Sequence, residues 1–597
     1  MASQRGIESL EKLQISDDHD SGSDLVTKPP NIVIYADNDR KEEVKNFVFH
    51  NVSADSYVVY HLNIDQILKA PWQENVALLV IAHEDIISSD IMDAFTNFVK
   101  DGGKIISLYS GFNLAGITIS ELPCDKKFLF GQTLFKSSDG KVEAQFDTAI
   151  FCKSYVLPLD NAEENIRVLA TSSIEDLPQA QPVILDISYG KGRAILSQIR
   201  LERSPDNIAV DDEKIFAKLK KSNSYRFSVF TECLSILGVK PGFTTLPALT
   251  PAYLLGEPYN LQVLQQKLSR VLRDGKISGK NLTLEFIDAS DKFQEQSENS
   301  MTVFMINSIF PPKNACQSFQ WNDYWSSLKT KTLGRTVMFS EVITSTMTVL
   351  EINQFLMNVN QDSGLVIIAN QQTQGRGRSG NNWISPRGCL MTSIPLTISR
   401  RSIIGSRLPL LVNITGLAVV KAVRSLEGYE NIPLGIKWPN DIYYRDEIKL
   451  GGIILKSQTI GNNDPQIVVG CGLNVSNSNP TMCINDIIAR FNNRTEGANL
   501  KPISVGRLAG LLYNNLETII SNIEKFGIGQ FQREYYKYWI HSNKKVKIAN
   551  RGNEDFSIAG INDYGFLCVT DRHGQKVTLQ PDGNSFDLMR NLITLKN

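Results

Sequence analysis

The run Gly375-Arg-Gly-Arg-Ser-Gly380, continuing as Asn381-Asn-Trp-Ile-Ser-Pro-Arg-Gly388, decides how this chain is read. It meets the Gly-x-Gly-x-x-Gly spacing of a dinucleotide-binding turn, but that reading needs the loop to open a helix whose N-terminus faces a pyrophosphate. Pro386 and Gly388 stop any such helix and lead into a strand. The Gly-Lys-Ser/Thr ending of a P-loop is missing as well. What remains is a set of glycines that let the backbone approach a ligand closely, with Arg376 and Arg378 between them. Guanidinium forks in that setting offer charge-assisted contacts to phosphate oxygens, so the loop implies an anionic ligand.

Working outward, the same residue types recur at strand ends. Lys437-Trp-Pro-Asn-Asp441 closes one short strand, Lys449-Leu-Gly-Gly-Ile453 opens the next, and Gly470-Cys-Gly-Leu-Asn474 places paired glycines and an amide at a third. Taken together they suit a site for a phosphate-bearing substrate better than a set of unrelated turns. The pattern predicts strands over 366–369, 389–397, 435–438, 450–455 and 467–469. Residues 410–426, apolar at 410, 414, 417, 420 and 423, predict a helix buried on one face. From about 542 onward, Gly560, Asp563-Tyr-Gly565, Arg572-His-Gly574 and Pro581-Asp-Gly583 punctuate short strands and predict a small β-barrel.

The chain has 597 residues, 62 basic against 63 acidic, so its net charge of -1 gives no general attraction to polyanions. Apolar residues make up 42%, with no run near the roughly 18 to 20 needed to span a bilayer and no apolar signal core at the start. Neither a membrane partner nor export is expected. The eight cysteines are dispersed without a CxxC, which reads as reduced thiols and not as a zinc site. Residues 1–30 have the composition of a disordered acidic tail, too acidic for a mitochondrial presequence. Over 31–240, strands at 32–35, 78–81 and 105–108 with a helix at 89–99 predict a parallel open sheet, and Tyr189-Gly-Lys-Gly-Arg193 reads as a hairpin turn. Residues 241–333 carry no motif and read as a connecting region.

From about 334 to the end, the ordered set Gln372-Thr-Gln-Gly-Arg-Gly-Arg-Ser-Gly-Asn-Asn-Trp383, KWPND, KLGGI, GCGLN and Pro581-Asp-Gly-Asn-Ser-Phe-Asp-Leu-Met-Arg-Asn591 closely resembles the biotin-protein ligases, in particular the eukaryotic holocarboxylase synthetases. The resemblance implies an α/β and α+β multidomain chain. Its parts would be a glutamine-amidotransferase-like open sheet (31–240), a mixed-sheet biotin/lipoate-ligase-like catalytic domain of class II synthetase type (334–541) and an SH3-like β-barrel (542–597). It also implies an ATP-dependent ligase. The biotin carboxylate would attack the α-phosphate of ATP with magnesium present, giving biotinyl-5'-AMP, and a lysine of a carboxylase would then take the biotinyl group. Acetyl-CoA, propionyl-CoA, methylcrotonyl-CoA and pyruvate carboxylases are the implied acceptors, and the cytoplasm, with mitochondria as a second compartment, the implied location.

Carried over residue by residue, the resemblance puts Ser345, Thr346 and Gln372 on the ureido ring of biotin, and Met347 where some relatives have an amide. Arg376, Gly377 and Arg378 match the loop that orders over biotin and the adenylate, and Trp383 would wall the pocket or else sit in the core. Lys449 matches the lysine at the reacting carboxyl/phosphate centre, beside Gly451 and Gly452. Lys437, Trp438, Asn440, Asp441 and Asn474 match the ATP side, and for Asp441 a turn-stabilising role stays open. Which residue touches magnesium is also left open. The expected elbow of an amidotransferase, Ile105-Ile-Ser-Leu-Tyr-Ser-Gly111, has no Cys, and Gln198-Ile-Arg-Leu-Glu202 has no His, so glutaminase chemistry is not expected. A lipoate or octanoate ligase is the nearest rival reading. A biotin-sensing repressor is disfavoured because the N-terminal part lacks a basic recognition helix, so no DNA binding is expected.

Overall fold

The computed structural model describes residues 29–595 apart from 54–55, 70–71, 123–127, 138–139, 141, 152, 158–164, 175–176, 211, 243–246, 280–281, 289–298, 353–362, 379–382, 459–463, 549–553, 582–583 and 588–591. The acidic tail up to residue 28, Ser379-Gly-Asn-Asn382 of the arginine loop, and the cysteines at 124 and 152 therefore lie outside the described residues. The six described cysteines are free thiols, and no helix among the described residues is long and apolar enough to cross a membrane.

The first unit is built on short apolar strands: β1 (Asn31–Ala36), β2 (Val58–His61), β3 (Val76–Ala82) and β4 (Lys104–Leu108). Next come β5 (Thr118–Glu121), β6 (Leu129–Lys136), β7 (Glu143–Ile150), β8 (Lys153–Val156) and β9 (Ile166–Ile174), then β10 (Gln181–Tyr189) and β11 (Gly192–Ser197). Nine of these form one sheet in the order β2-β1-β3-β4-β11-β10-β9-β6-β7, while β5 and β8 pair separately. Its half from β2 to β11 is parallel, as the strand–helix alternation predicts. The remaining strands are antiparallel, and the Gly190-Lys191 turn closes the β10–β11 hairpin with Tyr189 opposite Gly192.

The second sheet has eleven strands in the order β13-β14-β15-β12-β16-β17-β18-β22-β21-β20-β19. These are β12 (Ala252–Gly256), β13 (Lys276–Ser278), β14 (Thr283–Asp288), β15 (Ser300–Met305), β16 (Thr336–Ile343) and β17 (Leu365–Gln372). They continue with β18 (Cys389–Thr397), β19 (Leu434–Lys437), β20 (Asp441–Tyr444), β21 (Ile448–Gln458) and β22 (Gln466–Asn474). The stretch read as a connection, 241–333, is thus more than a linker. Its β12 pairs antiparallel with β16, so four of its strands extend the same sheet. Without a motif or long apolar periods these strands are invisible individually, because their burial comes from the neighbouring strand and not from local pattern.

Alternation of side chains along β17 divides two cores. Val366 and Ile368 join a core with the helices Leu410–Arg424 and Val505–Phe526, whereas Ile367 and Ala369 join one with Leu261, Leu264 and Leu268 of the helix Pro258–Val271. The second core also takes in Met347, Val349 and Leu350, at the start of the helix Thr346–Ile352. The C-terminal unit is a six-stranded sheet whose Val546, Phe556, Leu567 and Val569 belong to the first core. Among the described residues no pairing joins the first and last strands of its order, and the sheet packs into the core of the eleven-stranded unit.

Leu264, on the helix Pro258–Val271, is fully buried in the second core. Leu264→Ala is expected to lower the unfolding free energy by about 2–5 kcal/mol in urea titrations, and Leu68→Ala, on an exposed side chain, by less than about 0.5.

Candidate active site

The carboxyl end of β17 and the start of the helix Thr346–Ile352 meet through a buried polar chain. Gln372 Oε1 accepts from the Thr346 backbone N–H at 2.8 Å and its hydroxyl at 3.2 Å, and Gln372 Nε2 donates to Ser385 Oγ at 3.1 Å. Ser393 Oγ donates to Thr346 Oγ1 at 2.8 Å. Ser345, Thr346, Gln372, Ser385 and Ser393 are all buried. Ser385 and Ser393 escaped the sequence reading. Ser385 lies in the Trp-Ile-Ser-Pro run, and its place between glycine loop and strand is the signal that was available.

Next to this chain the sheet is stripped of side chains. A Cβ on Gly470 would meet Met347 Sδ at 2.5 Å, one on Gly472 would meet Trp383 Nε1 at 2.8 Å, and one on Gly451 the Gly472 carbonyl oxygen at 2.6 Å. Gly375 is equally confined, with the Trp383 carbonyl 2.3 Å from its would-be Cβ. Met347, placed at a position of uncertain polarity by sequence, is buried and lies against this glycine floor. Trp383 is partly buried. Its indole N–H is buried and has no hydrogen-bond partner among the described residues.

The cationic half adjoins it. Lys449 Nζ lies 5.7 Å from the Trp383 ring centroid and 2.7 Å from Asp441 Oδ1, an ionic contact without the alignment of a hydrogen bond. Gly452 pairs with Asp441 on one side and Gly472 on the other, which brings KWPND, KLGGI and GCGLN into register. Arg378 reaches across from its loop and donates to Asn440 Oδ1 at 3.1 Å and to the Pro581 carbonyl. Arg376 is exposed, and Gly377 beside it is partly buried.

Three predicted residues stand back from this opening. Trp438 is wholly buried and spends both its N–H groups inside the protein, the backbone one on His541 Nε2 at 2.9 Å and the indole one on the Gly565 carbonyl at 3.1 Å, so it anchors the C-terminal sheet. Lys437 is buried with Nζ 3.3 Å from Tyr443 OH and 4.8 Å from its ring centroid. The Asn474 amide turns to Thr481 Oγ1 at 3.0 Å and Met482 O at 3.4 Å, and it accepts from Cys389 Sγ. Burial pushes the Cys471 thiol, between two site glycines, up to about 12, which leaves it a poor nucleophile. A cavity of about 560 Å³ lined by Thr250, Ser318, Glu341, Asn370, Arg387 and Ser476 shares no residue with the predicted set. No group of three or more His, Cys, Asp or Glu that could hold a metal is found among the described residues.

The model of the Biotin/lipoate A/B protein ligase family matches residues 339–474. Human biotin–protein ligase is 34% identical over 582 residues, covering 96% of this chain and 78% of the human one. The chain belongs to the biotin–protein ligase family. The Schizosaccharomyces pombe biotin–protein ligase is 29% identical over 618 residues, covering 90% of this chain and 95% of its own. Among solved structures, the biotin protein ligase of Aquifex aeolicus in complex with biotin and ATP is 20% identical and covers 42% of this chain and 97% of its own, with a TM-score of 0.32.

The motif hydrogen-bonded by His541 gives the site a pH dependence. Burial, then Lys437 and Lys544 nearby, lowers the imidazole from 6.5 to about 3. The folded chain therefore refuses a proton that the unfolded chain takes up, and the stability His541 provides is whole above pH 6.5 and drains as pH falls from there toward 3. The unfolding free energy should decline below pH 6.5 with a slope approaching about 1.4 kcal/mol per pH unit, and His541→Gln should flatten that limb.

Proposed function

We propose that this chain forms biotinyl-5'-AMP from biotin and ATP and passes the biotinyl group to a lysine of biotin-dependent carboxylases. The observation that carries the reading is one run of neighbouring groups, each close to the next. It has a buried hydrogen-bonding end at Thr346 and Gln372, an apolar glycine-and-tryptophan floor, and a cationic end at Lys449 and Arg378. The ureido ring matches the first end, the hydrocarbon chain the floor, and the carboxylate the cations.

In the first step a carboxylate oxygen bonds to the α-phosphorus of ATP while the bond to the pyrophosphate oxygen breaks. Both reactants are anions, so the barrier is lowered by fixed positive charge and not by an enzyme nucleophile. Lys449 is suited to this task because Asp441 holds its ammonium beside Trp383, where the acyl end would lie. Arg378 would neutralise the phosphate and shield the acyl-adenylate from water. In the second step the neutral acceptor amine attacks the acyl carbon, AMP departs, and the amine sheds its proton. Asp441 is the carboxylate this end offers to a divalent cation, which would otherwise be held by nucleotide phosphates and water, an arrangement typical of magnesium. Bound there, magnesium would offset charge on the phosphates.

The N-terminal unit resembles a glutamine-amidotransferase domain without its chemistry. At the expected elbow Tyr109 has φ 46°, and its hydroxyl donates to the Phe151 carbonyl at 2.5 Å, while Ser110 Oγ lies 2.6 Å from Ser107 Oγ. Its role would be regulation or acceptor selection, with the carboxylases of the cytoplasm and mitochondria as targets.

ATP–pyrophosphate exchange is expected with biotin and not with lipoate or octanoate, and Arg378→Gly and Lys449→Ala should each reduce it by at least about tenfold. Exchange driven by lipoate would move the assignment to the sister activity. Gly472→Ala, which drives a methyl against the Trp383 indole, should raise the KM for biotin by at least about tenfold while the far-UV circular dichroism stays unchanged.

A further inference from the structure

Arg378 is held from two units at once. On one side it donates to Asn440 Oδ1 at 3.1 Å, and Asn440 is itself fixed by its Nδ2 donating to the Ile453 carbonyl at 2.8 Å and its own carbonyl accepting from Ile453 N–H at 2.8 Å. On the other side it donates to the main-chain carbonyl of Pro581, just past the C-terminal strand Lys576–Leu579. That sheet is seated firmly. Its Gly565 carbonyl accepts from the Trp438 indole, Gly565 has φ +79° with no room for a Cβ beside Asn413 Oδ1 at 2.1 Å, and Ile561 N–H donates to Tyr536 OH at 2.9 Å.

We propose that the Pro581 carbonyl is a positioning group that clasps Arg378 over the site, so that the C-terminal sheet governs how well the acyl-adenylate is retained. Gly375 and Gly377 leave the loop many backbone conformations, and a long arginine on such a loop loses much freedom when it settles on a ligand. Two fixed acceptors pre-order it before the ligand arrives. Both are neutral oxygens. As neutral groups these two acceptors orient the guanidinium without themselves cancelling its charge. The proline ring fixes φ at Pro581 and so narrows the backbone paths that lead into that carbonyl. This inference rests on the acyl-adenylate reading above.

The test uses the full chain with biotin, magnesium and ATP and without acceptor, measuring AMP released to solution as acyl-adenylate escapes and hydrolyses. Pro581→Gly keeps the carbonyl and frees its direction. It should raise AMP release about tenfold, as loss of a charged hydrogen bond implies, with a smaller fall in pyrophosphate exchange than Arg378→Ala causes. In an Arg378→Ala background the same substitution should add nothing. Gly565→Ala, which shifts the seat of the sheet, should follow the same pattern. Unchanged release in both variants, or an equal rise whether or not Arg378 is present, overturns the clasp. Amide hydrogen exchange of residues 375–378 needs no substrate, and it should quicken in Pro581→Gly. Unaltered protection overturns the clasp even in a chain without exchange activity, whereas a wild-type chain lacking biotin-dependent exchange overturns the adenylation reading instead.

Discussion

The site depends on an absence of side chains where β21 and β22 pair beside Trp383 and Met347. Gly451, Gly470 and Gly472 face Leu473, Met347 and Trp383 so closely that any Cβ would collide. Glycine in a strand interior weakens the strand, so three such residues in two adjacent strands have to be offset by the surrounding core. That core is available because β17, β18 and β22 are largely buried, with the helices Leu410–Arg424 and Val505–Phe526 on one face of β17 and residues of the helices Pro258–Val271 and Thr346–Ile352 on the other. The result is a stretch of sheet surface without side chains between Trp383 and the Thr346–Gln372 pair, a trough bounded by polar groups already hydrogen-bonded in place.

Positive charge at one end of the trough is oriented before anything binds. Lys449 leans on Asp441, and Arg378 is drawn by Asn440 and Pro581 from two different units of the chain. Preorganised charge of this kind lowers a barrier between two anions without needing reorganisation during the reaction. It also explains why no serine or cysteine nucleophile is required, and Cys471, between the two glycines in sequence, turns its thiol into the opposite core.

Much of this was legible from residue patterns. The strands 366–369, 389–397 and 467–469 and the helix from Leu410 lie within or on β17, β18, β22 and Leu410–Arg424, because long apolar runs and 3.6-residue spacing report burial directly. The glycine motifs marked the trough, since only close approach explains that many glycines at strand ends. The extension of the sheet by β12 to β15 was hidden, because short mixed strands are decided by cross-strand neighbours and not by their own sequence. Trp438 illustrates the converse limit. A tryptophan inside a ligand-binding motif looks like a ligand contact, yet its indole is buried against Gly565 and ties the C-terminal sheet to the motif. Neither that tie nor the reach of Arg378 to Pro581, 203 residues away, leaves any local trace.

The most direct test of the central claim is a crystal structure of the chain bound to a non-hydrolysable analogue of biotinyl-5'-AMP. The account predicts the ureido ring on Thr346 and Gln372, the hydrocarbon chain over Gly470 and Gly472 against Trp383, and the acyl-phosphate mimic between Lys449 and Arg378. An analogue lodged elsewhere, for instance in the cavity beside Thr250 and Glu341, or one whose acyl-phosphate mimic contacts neither cation, would contradict it.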